Sequence, residues 1–236
     1  MLSEVWIIHG WAQGPGNQKK WSEMINFLDQ AGVASNFLEI PGLDSDLEKP
    51  WTLDDYVTWL ANQLPDRPVI LLGHSFGGQL SIRFCAMFPD RVKFLILIGP
   101  AGIIDLSLFS ISKRKFFGSL AKMGSFLAGS KPMRQLFYKV IGESDYLKAD
   151  PVMRKTMSLV LADQILEDLP KISQPTLLIW GTEDRAAPYK HSDLFRTSVE
   201  NLVFEPIGGA RHSPQFTQPK VVAEKIIKFL KTQRNT

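Results

Sequence analysis

A single cysteine, four histidines and no long apolar run are the shortages that bound this 236-residue sequence. With Cys85 alone, no intramolecular disulfide can form, and a reducing compartment suits the chain. No group of His, Cys and carboxylate residues has metal-ligand spacing. Gly73-His74-Ser75-Phe76-Gly77-Gly78 lacks the spacing of a dinucleotide fingerprint. Neither a metal nor an organic cofactor is therefore expected. No apolar run reaches the roughly 18 to 20 residues that span a bilayer. The stretch 5–8 is too short for a signal-peptide core and has no basic segment before it. The expectation is a cytoplasmic protein that is not integral to a membrane. The net charge of +3 is modest, and no nucleic-acid partner is expected.

What the sequence does have is rhythm. Short aliphatic or β-branched runs at 5–8, 34–39, 68–72, 94–98, 176–180 and 202–206 alternate with amphipathic stretches near 18–31, 52–64, 76–88, 189–197 and 219–232. Alternation of this kind predicts βα units and a parallel sheet. Three of the runs are continuously apolar, as strands covered on both faces are. Trp21, Met24, Ile25 and Leu28 recur at helical spacing, as do Val221, Val222, Ile226, Ile227 and Leu230. The rhythm breaks at 105–168, too long for an ordinary connection. This segment is expected to be a helical cap inserted into a core domain made of 1–104 and 169–236.

The strongest local signal is Gly73-His74-Ser75-Phe76-Gly77, set between an apolar strand and a helix with Leu80, Ile82, Phe84 and Met87 as candidate core positions. A serine on a sharp strand-to-helix turn adopts a strained backbone, and Gly73 and Gly77 leave room for it. The turn exposes the hydroxyl and aims the Phe76 N–H, at the helix N-terminus, toward a developing oxyanion.

A serine hydroxyl needs a base within hydrogen-bond reach. His74 adjoins Ser75 but cannot easily turn back on it, His9 ends the first strand, and His191 falls in a predicted helix among polar neighbours, as a surface residue would. His212 remains, in the loop Ile207-Gly208-Gly209-Ala210-Arg211-His212 after the last strand, at the sheet edge where open α/β folds collect their sites. The acid should lie on another such loop. Asp184 is favoured, with Glu183 and Asp105 as alternatives. Arg211 beside the base is read as a solvent-facing loop residue that could also meet an acidic substrate group.

Gly-His-Ser-Phe-Gly-Gly from position 73, Gly-Thr-Glu-Asp-Arg-Ala-Ala-Pro from 181 and Gly-Gly-Ala-Arg-His-Ser-Pro from 208 together resemble the α/β-hydrolase superfamily over nearly the whole chain. The order Ser, Asp, His is that family's order. By the resemblance, His9-Gly10-Trp11 is an oxyanion loop, and the backbone N–H of Trp11 is the second donor beside Phe76. The wording is similar to carboxylesterases that cleave pimeloyl-carrier methyl esters. Family members commonly start with a two-stranded hairpin that eight residues before His9 cannot hold. The resemblance thus implies a reduced α/β-hydrolase fold of about six parallel strands, in order 2-1-3-4-5-6, under the helical cap.

The expected reaction is hydrolysis of a carboxylic ester or thioester of small to medium hydrophobic acyl groups, through an acyl-enzyme on Ser75. A lyase or C–C hydrolase with the same triad, acting on a polar anionic metabolite, is the competing reading. Phe109, Phe116, Phe117, Met123, Phe126, Phe137 and Tyr138 could line an acyl slot or simply pack the cap. Between 113 and 155 there are ten basic residues (113, 114, 115, 122, 131, 134, 139, 148, 154, 155) against three acids (143, 145, 150). That excess could attract an acidic acyl-carrier protein or anionic lipid, or be a solvated basic face.

Overall fold

In the computed structural model, residues 3–12, 14, 16–103 and 149–234 are described. The six apolar runs form one parallel sheet. In chain order the elements are β1 (Ser3–Ile8), α1 (Asn17–Gln30), β2 (Val33–Phe37), α2 (Leu53–Gln63), β3 (Val69–His74), α3 (Phe76–Met87), β4 (Val92–Ile98), α4 (Pro151–Ala162), β5 (Thr176–Gly181), α5 (Ser192–Ser198), β6 (Leu202–Ile207), α6 (Pro214–Thr217) and α7 (Pro219–Arg234). The strands lie in the order β2-β1-β3-β4-β5-β6, as the resemblance implied.

Alternation along the strands divides the apolar side chains between two faces. Val69 and Leu71 of β3, with Leu95 and Leu97 of β4, join a core with α2, α3, α4 and α5. Ile70, Leu72, Phe94, Ile96 and Ile98 join the opposite core under α1 and α7. Because both faces are covered, every residue of β3 and of β5 is buried. The helix starts carry their own signals. Thr52 and Asp55 form a reciprocal capping box at α2, and Asp150 accepts from the Met153 N–H at α4, with Pro151 following.

Two positions depart from the sequence expectation. Met87, expected in the core, is 48% exposed as the last residue of α3; Leu80, Ile82 and Phe84 are fully buried as expected. His191, expected on the surface, is buried. A 3₁₀ turn at Tyr189–His191 delays the α-helix to Ser192, which rotates His191 inward.

Of the segment expected to form a cap, 149–168 is described. Met153, Met157, Val160, Leu161 and Ile165 pack into the core with α2 and α3. Buried Gln79 of α3 donates to the carbonyls of Val160 and Asp163 at the end of α4. Arg83 pairs with Asp54, Asp163 and Asp168 at 3.0, 2.7 and 2.6 Å, tying α2, α3 and the segment after α4 into one network. Asp105, the seven aromatic or Met residues proposed for an acyl slot, and the basic positions 113–148 lie outside the described residues. Among the described residues, no helix is long and apolar enough to cross a membrane.

Helix α3 meets the end of β1 without clearance. A Cβ at Gly77 would stand 2.0 Å from the Ile8 carbonyl oxygen and 2.7 Å from that of His9; at Gly73 it would stand 2.4 Å from the Gly77 carbonyl oxygen. Backbone cannot yield as a side-chain tip can. Gly77→Ala should therefore lose about 3 kcal/mol or more of stability, read as the urea midpoint; an unchanged midpoint would contradict the contact. Cys85 is buried, its thiol 3.0 Å from the Gln174 amide oxygen, and burial pushes its pKa up to about 12. Folded protein should resist iodoacetamide at pH 8 and react once urea unfolds it. Equal rates in both states would contradict that burial.

Candidate active site

In an open α/β sheet, the crevice lies where the strand order reverses, at the carboxyl ends of the strands. Here that point falls between β1 and β3, and the loops after β5 and β6 reach toward it. The chain delivers His9-Gly10-Trp11 from β1, Ser75 from β3, Asp184 after β5 and His212 after β6.

Ser75 has φ 53° and ψ −114°, the sole positive φ outside glycine among the described residues. Such a conformation costs on the order of 1–3 kcal/mol and persists only when surroundings enforce it. The enforcement is visible on both sides. β3 is held in the sheet to its last residue, where His74 aligns with Ile98, and the Ser75 carbonyl accepts from both Gln79 and Ala101. The hydroxyl that results is 2.9 Å from Nε2 of His212. On the other side of that ring, Nδ1 is 2.8 Å from Oδ2 of Asp184. The second Asp184 oxygen accepts from the N–H groups of Ala186 and Ala187 at 2.9 and 3.0 Å. With its side chain wholly out of solvent, the carboxylate is fully partnered and cannot swing.

The sequence left Glu183 and Asp105 open beside Asp184. The hydrogen bond to His212 belongs to Asp184, Glu183 is exposed, and Asp105 lies outside the described residues. Arg211 is exposed. Phe76 opens α3, where helix geometry supplies no acceptor for its N–H. Its ring meets the Trp11 indole edge to face at 4.8 Å, which packs the two candidate oxyanion residues against each other. The described residues around a cavity of about 170 Å³ include Gly10, Trp11, Trp21, Ser75, His212 and Phe216.

His74, set aside as a base, has a different place. Its Nε2 donates to the His212 carbonyl at 3.1 Å, and its ring lies 5.0 Å from the His212 ring. Burial, and then the proximity of His212, hold its pKa well below the ordinary value. A neutral ring with Nε2–H fits this contact, and it anchors the backbone of the loop that carries His212.

Asp44 and Asn17 were not singled out in the sequence. Asp44 follows β2 at the same sheet edge as Asp184 and His212, so the edge rule applied to those two would have found it. It lies 2.7 Å from His9 Nε2, and Asn17 donates to it at 2.8 Å. Among the described residues, no group of three or more His, Cys, Asp or Glu could hold a metal.

Known proteins agree with this architecture. The "Putative esterase/lipase 2" of Mycoplasma genitalium is 26% identical over 69% of this chain, which spans 63% of that protein's length. A pimeloyl-[acyl-carrier protein] methyl ester esterase of Shewanella woodyi is 24% identical, with 89% of this chain and 87% of that one covered. An alpha/beta hydrolase enzyme from a sediment metagenome of the Mar Chica lagoon, Morocco, superposes with a TM-score of 0.70 at 18% identity, covering 99% of this chain and 93% of that one. The profile of the alpha/beta hydrolase family matches residues 7–225, so the chain belongs to that family.

Proposed function

We propose that the chain is a carboxylic-ester hydrolase in which Ser75 is the nucleophile, His212 the general base and Asp184 the carboxylate that orients it. The observation that carries this reading is the unbroken relay from Asp184 Oδ2 through His212 to Ser75 Oγ, at 2.8 and 2.9 Å, ending on a serine in a strained turn. Ser75 Oγ attacks the ester carbonyl carbon as its proton passes to His212 Nε2. The oxyanion that forms is held by the N–H groups of Trp11 and Phe76. Collapse breaks the bond to the alcohol oxygen, which takes the proton from His212. Water then attacks the acyl-enzyme by the same route and releases the acid. Asp184 stabilises the imidazolium without taking its proton.

The acyl group we infer is small to medium and hydrophobic, in an ester or thioester, in keeping with the apolar Trp11, Trp21 and Phe216 beside Ser75. Relatives named as esterases and lipases support the same class. A cap over 105–168, a cytoplasmic location and an acidic acyl-carrier protein or anionic lipid at the basic segment belong to this proposal as well.

Short-chain p-nitrophenyl esters should be hydrolysed, with Ser75→Ala lowering kcat by about 10⁵-fold or more and Asp184→Asn by about 10⁴-fold. No turnover across ester and thioester chain lengths, with turnover of diketo acids instead, would move the reading to C–C hydrolysis.

A further inference from the structure

Trp11 can act as an oxyanion donor only if its N–H points into the crevice, and a loop residue has no helix or sheet to aim it. The Gly10–Trp11 peptide is trans, as are all the described peptides. Its N–H and the Gly10 carbonyl therefore share one plane and point in opposite directions. Whatever grips that carbonyl sets the direction of the N–H.

Nδ1 of His9 lies 2.7 Å from the Gly10 carbonyl oxygen, and Nε2 of the same ring lies 2.7 Å from Asp44 Oδ2. The ring is buried and stacks on Phe37 at 5.2 Å with the planes 3° apart, so it cannot tilt. Asp44 is also 2.7 Å from the Ile40 N–H through Oδ2, and 2.8 Å from Asn17 Nδ2 through Oδ1. Asn17 Nδ2 in turn reaches the Ala12 carbonyl at 2.9 Å. Asp44 therefore holds both flanks of Trp11, through His9 on one side and Asn17 on the other. Burial alone would push the Asp44 carboxyl upward, but the hydrogen bonds from His9, Ile40 and Asn17 outweigh it and bring its pKa below the usual value.

We infer that Asp44 is a positioning residue for the reaction, acting through His9 to aim the Trp11 N–H and through Asn17 to pin the far side of the same loop. The two partners of the His9 ring, the Gly10 carbonyl and the Asp44 carboxylate, hold it at both nitrogens. Donation into the Gly10 carbonyl also polarises that peptide and makes its N–H a stronger donor, since linked hydrogen bonds reinforce one another. Around the pair stand Lys20, 3.5 Å from Asn17 Oδ1, and His74, whose ring is neutral. This inference rests on Ser75 being the nucleophile.

The test compares Asp44→Asn, Asn17→Ala and Ser75→Ala in full-length protein, with p-nitrophenyl butyrate as substrate and a boronic acid that adds to a serine oxygen as the tetrahedral mimic. Misaiming one catalytic group costs up to about 10²-fold. Asp44→Asn should therefore lower kcat by about 10- to 100-fold with KM changed less than about threefold. Boronate affinity should weaken in parallel with kcat, while affinity for butyrate, the acid product, holds. Asn17→Ala, which leaves His9 and Asp44 in place, should show a smaller fall in kcat. Unchanged kcat in Asp44→Asn, or a fall in kcat with boronate affinity intact, overturns the inference. If Ser75→Ala retains full turnover, the reading of Ser75 as the nucleophile itself fails, a result that no Asp44 variant can imitate.

Discussion

Three constraints meet at the end of β3, and the rest of the site depends on them. The strand is buried on both faces, the helix that follows must start at once, and that helix lies against the backbone of β1 so closely that no side chain fits at Gly77. A chain so confined reverses direction within one residue, and Ser75 takes a backbone conformation that a serine would not choose. The cost of that strain is offset by the packing it permits. Full burial contributes roughly 1.5–3 kcal/mol for each large apolar side chain, and Leu71, Leu72, Leu80 and Ile82 on either side of the turn are all wholly buried. The strained serine is thus a consequence of the two cores, and its hydroxyl is presented because the backbone has nowhere else to go.

The groups around that hydroxyl differ in how they are held. Asp184 is fixed by two backbone N–H groups within its own turn, and His212 by Asp184 at the ring and by His74 at the backbone carbonyl. The loop carrying Trp11 has neither helix nor strand to rely on and is held by its own His9 together with Asn17 and Asp44 from elsewhere in the chain. Two buried histidines therefore flank the serine in different roles. His74 is a neutral donor to one carbonyl, and His9 is bracketed by two acceptors. The same residue type plays two parts because one ring meets a single carbonyl and the other is held between a carbonyl and a carboxylate.

Much of this was legible in the sequence for a physical reason. Strands covered on both faces must be apolar throughout, so β3, β4 and β5 announce themselves, and a Gly-x-Ser-x-Gly turn needs its glycines wherever it occurs. Ser75, His212 and Asp184 could be found because sheet edges collect sites and few histidines competed. Asp44 could not be paired with His9, since it stands 35 positions further along the chain and nothing signals their contact until β2 is known to lie beside β1. Met87 and His191 were misplaced for a related reason: burial at a helix end depends on where the helix starts or stops, and periodicity does not mark that. The segment 105–168 had no strand and was too long for an ordinary connection, which identified an insertion but not that α4 would join the core.

The central proposal is that Ser75 carries an acyl group during turnover. Its most direct test is mass spectrometry of the protein quenched in acid during hydrolysis of a p-nitrophenyl ester, with peptide mapping of any adduct. A mass increase equal to the acyl group, located on Ser75 and absent from Ser75→Ala, is the predicted result. Rapid ester turnover with the label on another residue, or with an unmodified Ser75 under conditions where deacylation is rate-limiting, would contradict it.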